Sequence, residues 1–138
     1  MNLNDKVAII TGSTRGIGKA IALRFAKDGA RVVINGVANT EKGMAVATEI
    51  NKAGAEALVV MADVSKRGQA EQLIDDTVKA FGKIDILVSN AGIVIDKPFV
   101  ESLDEDWERS ININLRGFFN VSRAALPHMI ERQYGRII

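Results

Sequence analysis

Gly12, Gly16 and Gly18 stand in the order Gly-x-x-x-Gly-x-Gly directly after the apolar run Val7-Ala8-Ile9-Ile10. The run reads as a buried strand, and from Gly16 onward the apolar residues take up a helical period. A glycine-rich turn from strand to helix is suited to holding a phosphate. It bares backbone N–H groups, aims the positive end of a helix dipole at the anion and lets the chain come closer than a Cβ would allow. A P-loop is excluded by count: five residues rather than four separate Gly12 from Gly18-Lys19, and Ala20 stands where Ser or Thr must hold Mg²⁺. What remains is a turn for the pyrophosphate of a dinucleotide, to be weighed against glycines that only permit a tight turn and close helix–strand packing.

The end of the second strand discriminates between dinucleotides, because a carboxylate there holds the adenosine ribose hydroxyls of NAD. Here the stretch reads Ile34-Asn35-Gly36-Val37-Ala38-Asn39-Thr40, with no carboxylate before Glu41. A missing acid removes repulsion of a 2′-phosphate, and Arg15 inside the turn can pair with one. The expected cofactor is therefore NADP(H); the competing view of Arg15 is a solvated surface arginine. An S-adenosylmethionine-dependent methyltransferase would also want the missing carboxylate, and is disfavoured.

These groups need a scaffold. Short β-branched runs alternate with helical periods, the pattern of βαβ units and a parallel sheet buried on both faces. The strands are expected at Val7–Ile10, Arg31–Ile34, Leu58–Met61 and Ile84–Val88, with Arg136-Ile137-Ile138 beginning a fifth. The first helix should present Ile17, Ile21, Leu23 and Phe25 and close at Gly29; the second spans about Thr40 to Gly54. The third, N-capped by Ser65, carries the stripe Ala70, Leu73, Ile74, Val78 and Phe81. Ser102 with Glu105 fits a capping box. A long helix from Ile113 to about Arg132 has apolar residues all round, so two covered sides are expected, with a kink at Pro127 and a stop at Gly135. Trp107, Phe118, Phe119 and Met129 read as core or interface packing. The fold class expected is α/β, a Rossmann-like doubly wound sheet with helices on both faces, as one dinucleotide-binding domain over residues 1–138 that breaks off at the start of the fifth strand.

Composition closes off other classes. Eighteen Lys and Arg against seventeen Asp and Glu leave a net charge of +1, too little to gather nucleic acid or anionic lipid. There is no Cys, so no thiolate metal site or cysteine nucleophile is available, and the single His, His128, cannot build a zinc site alone. No apolar run approaches the length of a membrane span. A soluble cytoplasmic protein with no metal, no nucleic acid and no membrane partner is expected.

With Thr11-Gly-Ser-Thr-Arg-Gly-Ile-Gly18, Asp63-Val64, Asn90-Ala91-Gly92 and Ile113-Asn114-Leu115 in this order, the chain resembles the short-chain dehydrogenase/reductase family over all 138 residues. Within the family it looks most like the 3-oxoacyl-acyl carrier protein reductases, through stretches such as Ser122-Arg-Ala-Ala-Leu-Pro-His-Met129. The resemblance implies that Gly12, Ser13, Arg15, Gly16, Ile17 and Gly18 line the pyrophosphate and adenosine phosphate. It implies also that Asp63 and Val64 meet the adenine, that Asn90, Ala91 and Gly92 border the cofactor, and that Asn114 is the Asn of a catalytic tetrad. Plainer roles compete: Asp63 as a helix cap, Asn90 as a bridge between strands, Asn114 as a buried amide that merely has a hydrogen-bond partner. Oligomers of the family bury the last helix against a partner, which implies a homo-oligomer, in the usual case a tetramer, and leaves His128 at a surface or interface.

Family members reduce a carbonyl by hydride transfer, with a proton from Tyr, a Lys four residues later and an orienting Ser. In these 138 residues the only Tyr, Tyr134, is followed by Gly-Arg-Ile-Ile, and no Lys follows Lys97. The stretch alone is expected to be catalytically dead, as a portion of an NADPH-dependent carbonyl reductase acting on 3-oxoacyl groups borne by acyl carrier protein. The alternatives are a short-chain dehydrogenase for another alcohol or sugar, and a non-catalytic nucleotide-binding module.

Overall fold

A computed structural model describes residues 2–138. Five strands, β1 (Val7–Ile10), β2 (Arg31–Gly36), β3 (Ala57–Met61), β4 (Ile86–Val88) and β5 (Arg136–Ile137), form one parallel sheet in the order β3-β2-β1-β4-β5. Helices α1 (Gly16–Lys27), α2 (Thr40–Lys52) and α3 (Arg67–Phe81) make the first three crossovers. Between β4 and β5 come a 3₁₀ turn (Phe99–Glu101), α4 (Asp104–Ser110), a π-helical segment (Ile111–Arg116) and α5 (Gly117–Glu131). This is the doubly wound, Rossmann-like α/β fold that the alternation of periods predicts.

Side chains alternate across each strand. Ala8, Ile10, Val32, Ile34, Ile86 and Val88 pack with Ala22, Ala26, Val46 and Ile50 of α1 and α2. Ile9, Val33 and Leu87 pack on the other face with Leu73 and Ile74 of α3 and with Val121, Ala125 and Met129 of α5. Both faces are dry, which is why the strands read as unbroken apolar runs. Ile10 pairs with Ile34 on one side and Val88 on the other. The chain therefore leaves β1 in one direction toward β2 and returns to its other side as β4. Loops at the carboxyl ends of β1 and β4 diverge to opposite faces, and a crevice opens between them.

Several local expectations are corrected. The buried stripe of α1 is Gly18, Ala22 and Ala26 rather than the large apolar residues; Ile17 is 75% exposed, and Ile21, Leu23 and Phe25 only flank the core. Small residues let the helix lie close to the sheet. At α3 the N-cap position falls on Lys66, not Ser65, and no side chain caps it; Asp63 Oδ1 instead accepts the Ser65 amide at 3.0 Å and the Ser65 hydroxyl at 2.7 Å, closing the turn before the helix. At α4 the capping interaction sits one residue later than expected, with the Leu103 amide donating to Asp106 Oδ2 at 2.9 Å, while Ser102 closes the 3₁₀ turn. Lys97 and the Leu103 amide hold the Asp106 carboxyl below its ordinary pKa.

The helical stretch around Ile113 is continuous from α4 through the π segment into α5, passes through Pro127 without interruption and ends at Glu131; its irregularity is the π segment. It is covered on one side, not two. Leu115, Phe118, Phe119, Leu126 and Ile130 are exposed, as is Trp107, whereas Met129 is core. No helix among the described residues is long and apolar enough to cross a membrane.

At the opposite end of the sheet from the crevice, Asp85 is fully buried. Its Oδ2 accepts the Val7 amide at 2.9 Å and meets Lys83 Nζ at 3.0 Å, and its Oδ1 meets Arg132 Nη1 at 3.0 Å. One carboxylate thereby joins β1, the entry to β4 and the end of α5.

Candidate functional site

The crevice at the carboxyl ends of the strands is a cleft of about 660 Å³. Gly12, Arg15, Gly16, Ile17 and Gly18 form its floor. Gly36 to Asn39 and Lys42, from the β2–α2 connection, close one end, and Asn90 to Ile93, after β4, close the other. Ala62 and Val64 supply an apolar wall. A larger groove of about 980 Å³ lies between α1 and α2 at the amino end of β2, away from the crevice, and another of about 810 Å³ runs along the start of α3 and the π segment.

The floor is shaped by three different uses of glycine. Gly12 and Gly16 hold φ of +64° and +56°, in the left-handed region that L side chains avoid. A Cβ on Gly16 would have no heavy atom within 4 Å and would project into open space. Gly18 has ordinary φ but no room: a Cβ there would lie 2.5 Å from Gly12 O and 2.5 Å from Asn90 Nδ2. Arg15 precedes α1 in extended conformation and its side chain makes no cap, so no side chain occupies the first-turn N–H groups. These donors, the dipole and the empty space beside Gly16 fit an anion of pyrophosphate size.

Polar side chains lock this floor to its neighbours. Asn90 Nδ2 donates to Thr11 O at 2.9 Å and to Gly12 O at 3.2 Å, and the Ala91 amide donates to Thr11 Oγ1 at 2.9 Å. Asn90 thus bridges strands, as the plainer reading holds, while also bordering the cleft. Asn35, buried within the sheet, donates through Nδ2 to Val60 O and Ala62 O, both at 3.1 Å, and accepts the Gly12 amide at 3.3 Å. Asn120 on α5 donates to Val64 O at 2.9 Å and Ser65 O at 3.2 Å, fixing the loop that carries the apolar wall. Asn35, Asn120 and Lys42 were not among the residues singled out in the sequence. A polar residue interrupting a β-branched run is the signal that marks Asn35.

Gly12, Arg15, Gly16, Ile17, Gly18, Val64, Asn90, Ala91 and Gly92 all line the cleft. Ser13 does not. It is fully buried, its hydroxyl donating to Ile10 O at 2.6 Å and accepting the Asn35 amide at 3.0 Å, so it shapes the turn from behind. Asp63 is not part of the lining and does not cap α3 either; its Oδ1 closes the turn at Ser65 ahead of the helix. Asn114 is exposed rather than buried, and both ends of its amide are committed to Ile93: Oδ1 accepts the Ile93 amide at 2.8 Å and Nδ2 donates to Ile93 O at 3.0 Å. It pins the loop after β4 to the π segment. Tyr134 lies with its ring centroid 4.1 Å from Lys6 Nζ and has no part in the cleft lining.

The tightest contact gives a direct test. Replacing Gly18 by Ala should cost about 1–3 kcal/mol, because a backbone oxygen and the Asn90 amide must both give way. A urea titration of both proteins checks this; an unchanged midpoint would mean that α1 does not press on the turn as described.

The family model described as short chain dehydrogenase matches residues 6–138. The chain is 41% identical, over its whole length, to the (2S)-[(R)-hydroxy(phenyl)methyl]succinyl-CoA dehydrogenase subunit BbsD of Thauera aromatica, and covers 55% of that protein. It is 37% identical over 97% of its length to the 3-oxoacyl-[acyl-carrier-protein] reductase FabG of Staphylococcus epidermidis, again covering 55%. A match at 38% to the peroxisomal multifunctional enzyme type 2 of Drosophila melanogaster takes in the whole chain and 24% of the relative. The chain thus spans about half the length of the first two relatives. The match across residues 6–138, on a parallel sheet whose crevice carries the glycine turn, places this chain in the short-chain dehydrogenase family.

Proposed function

We propose that these residues form the dinucleotide-binding domain of an NADPH-dependent carbonyl reductase, and that its substrate is a 3-oxoacyl group carried by acyl carrier protein. The observation that carries the cofactor half is the cleft itself: uncapped α1 amides, a glycine whose absent side chain leaves the anion's space free, and a ribose end with Arg15 and no carboxylate in its lining. The substrate half is supported by the FabG relative. When bound, the reduced nicotinamide supplies a hydride to a carbonyl carbon. Gly12, Gly16 and Gly18 hold the diphosphate, Val64 flanks the adenine, with Asp63 steering that loop, and Asn90, Ala91 and Gly92 border the cofactor. Asn114, through Ile93, sets the position of the loop over the nicotinamide end.

The proton donor and the residues that orient the carbonyl come, in this reading, from sequence outside the 138 residues, and the stretch alone is inactive. Tyr134, held beside Lys6 away from the cleft, supports that. The exposed apolar residues Leu115, Phe118 and Phe119 support burial of this face in a homo-oligomer.

Titrating the full-length protein with NADPH and NADH tests the cofactor, and following NADPH oxidation with a 3-oxoacyl thioester and with a panel of simple ketones and sugars tests the substrate. NADPH is expected to bind at least about tenfold more tightly than NADH, the worth of one charge-assisted contact to the extra phosphate. Equal affinities, or turnover of sugars and not of the thioester, would overturn the corresponding half.

A further inference from the structure

β3 is an outer strand: among the described residues it pairs with β2 alone. An open edge is a template on which another chain can add a strand. The hazard is sharp here, because the stretch Ala57-Leu58-Val59-Val60-Met61-Ala62 holds no charge, Gly or Pro to deter such pairing. Hydrogen bonds to β2 fix which backbone groups face the open side. The Val32 amide donates to Glu56 O at 2.9 Å and the Ala62 amide to Gly36 O at 2.8 Å, so residues 56, 58, 60 and 62 face β2, while Ala57, Val59, Met61 and Asp63 face outward. That outward row is closed at both ends by side chains. Asn51, in the last turn of α2, accepts the Ala57 amide on Oδ1 at 3.0 Å, and Gln69, in the first turn of α3, accepts the Asp63 amide on Oε1 at 2.7 Å. The Asp63 carbonyl is taken too, by the Lys66 amide at 2.9 Å.

We propose that Asn51 and Gln69 are edge guards, which keep β3 of one copy of this chain from pairing antiparallel with β3 of a second. An added strand lies about 4.8 Å from its neighbour, in the space through which both side chains now reach the edge, so it must displace them and break both hydrogen bonds. With the ends closed, the amides of Val59 and Met61 are all that the edge offers, and a short edge pairs poorly. A second copy is the strand that matches best. Paired about Val60, its Met61 meets Val59, its Ala57 meets Asp63, and no charge faces a like charge. Asp76 and Lys79 of α3 flank the same edge, in a groove of about 550 Å³ shared with Leu58 to Met61, and an apolar strand seated there would have to desolvate them. Both guards are exposed, so core packing does not call for an amide at either place, and neither lines the crevice. Their role is therefore independent of the dinucleotide.

The test is sedimentation velocity over a wide range of concentration, with a thermal melt of each sample, on the full-length protein and three variants. Asn51→Ala combined with Gln69→Ala should strengthen association beyond the parent's own assembly by at least about tenfold, since pairing no longer has to break the guard bonds. Asn51→Asp combined with Gln69→Glu keeps an acceptor oxygen at each place and should sediment as the parent does. Adding Val59→Pro to the double alanine variant should abolish the new association. The Val59 amide faces outward, so proline there costs no bond to β2 but removes a donor that a second strand needs. A double alanine variant that sediments as the parent does would overturn the guard role. So would new association that survives Val59→Pro, because the contact would then lie elsewhere. A double alanine variant that no longer melts cooperatively would show that Asn51 and Gln69 hold the fold itself, and would overturn the proposal as well.

Discussion

Replacing Gly16 by Val is expected to lower dinucleotide affinity by about 100-fold or more while leaving a folded protein, because the new side chain enters the space where the diphosphate meets the amides of α1. Two effects are combined in that substitution and must be separated. The backbone at Gly16 has φ of +56°, so any L side chain adds strain of about 1–2 kcal/mol. The second effect is occlusion. Gly82 offers the control: its φ is +76°, it also has no heavy atom near a built Cβ, and it lies at the end of α3, outside the cleft. Gly82→Val should match the stability loss of Gly16→Val and keep full affinity. If both variants bind as the parent does, the glycine turn is not the phosphate cradle, and the cofactor assignment falls with it.

The architecture was readable because it rests on periods. Ala8, Ile9 and Ile10 alternate between two cores, and runs of this kind exist only where both faces of a sheet are covered. The glycine spacing was readable for a related reason, since backbone approach to an anion leaves little choice of residue. Two kinds of detail were not. The first is which face of a helix is buried when small residues, not large ones, make the contact: Gly18, Ala22 and Ala26 carry no hydrophobic signal comparable to that of Ile17, yet they are the stripe that touches the sheet. The second is the partner of a polar side chain. Ser13 lies within the motif but bonds backward to Ile10 and Asn35; Asn114 bonds to Ile93, twenty-one residues away; Asn120 bonds to Val64, fifty-six residues away. Such partners are fixed by how strands and helices meet in space, and spacing along the chain does not encode them.

The same limit hid Asp85, whose removal is expected to have the largest effect on stability. Nothing distinguishes an Asp between Ile84 and Ile86 by period, yet this one is fully buried and holds three elements together. Burial alone would raise its pKa; the Val7 amide, Lys83 and Arg132 outweigh that and hold the carboxyl below its ordinary value. Asp85→Ala leaves the Val7 amide, on a residue with no solvent exposure, without its acceptor and opens a void among charged groups. Lys83 and Arg132 retain 20% and 36% side-chain exposure and can turn toward water, which softens the loss. A cost of about 3 kcal/mol is expected, near the lower end for breaking a buried pair. The pH dependence has a definite sign. Because the folded pKa is depressed, the contribution of Asp85 is fully present above the ordinary carboxylate range and is lost as pH falls through the folded value. Urea midpoints measured at neutral pH and near pH 3 should therefore converge between the parent protein and Asp85→Ala as the solution is acidified. A gap that stays constant with pH would show that the ionised carboxylate contributes nothing beyond its volume, and that β1, β4 and α5 are joined by packing alone.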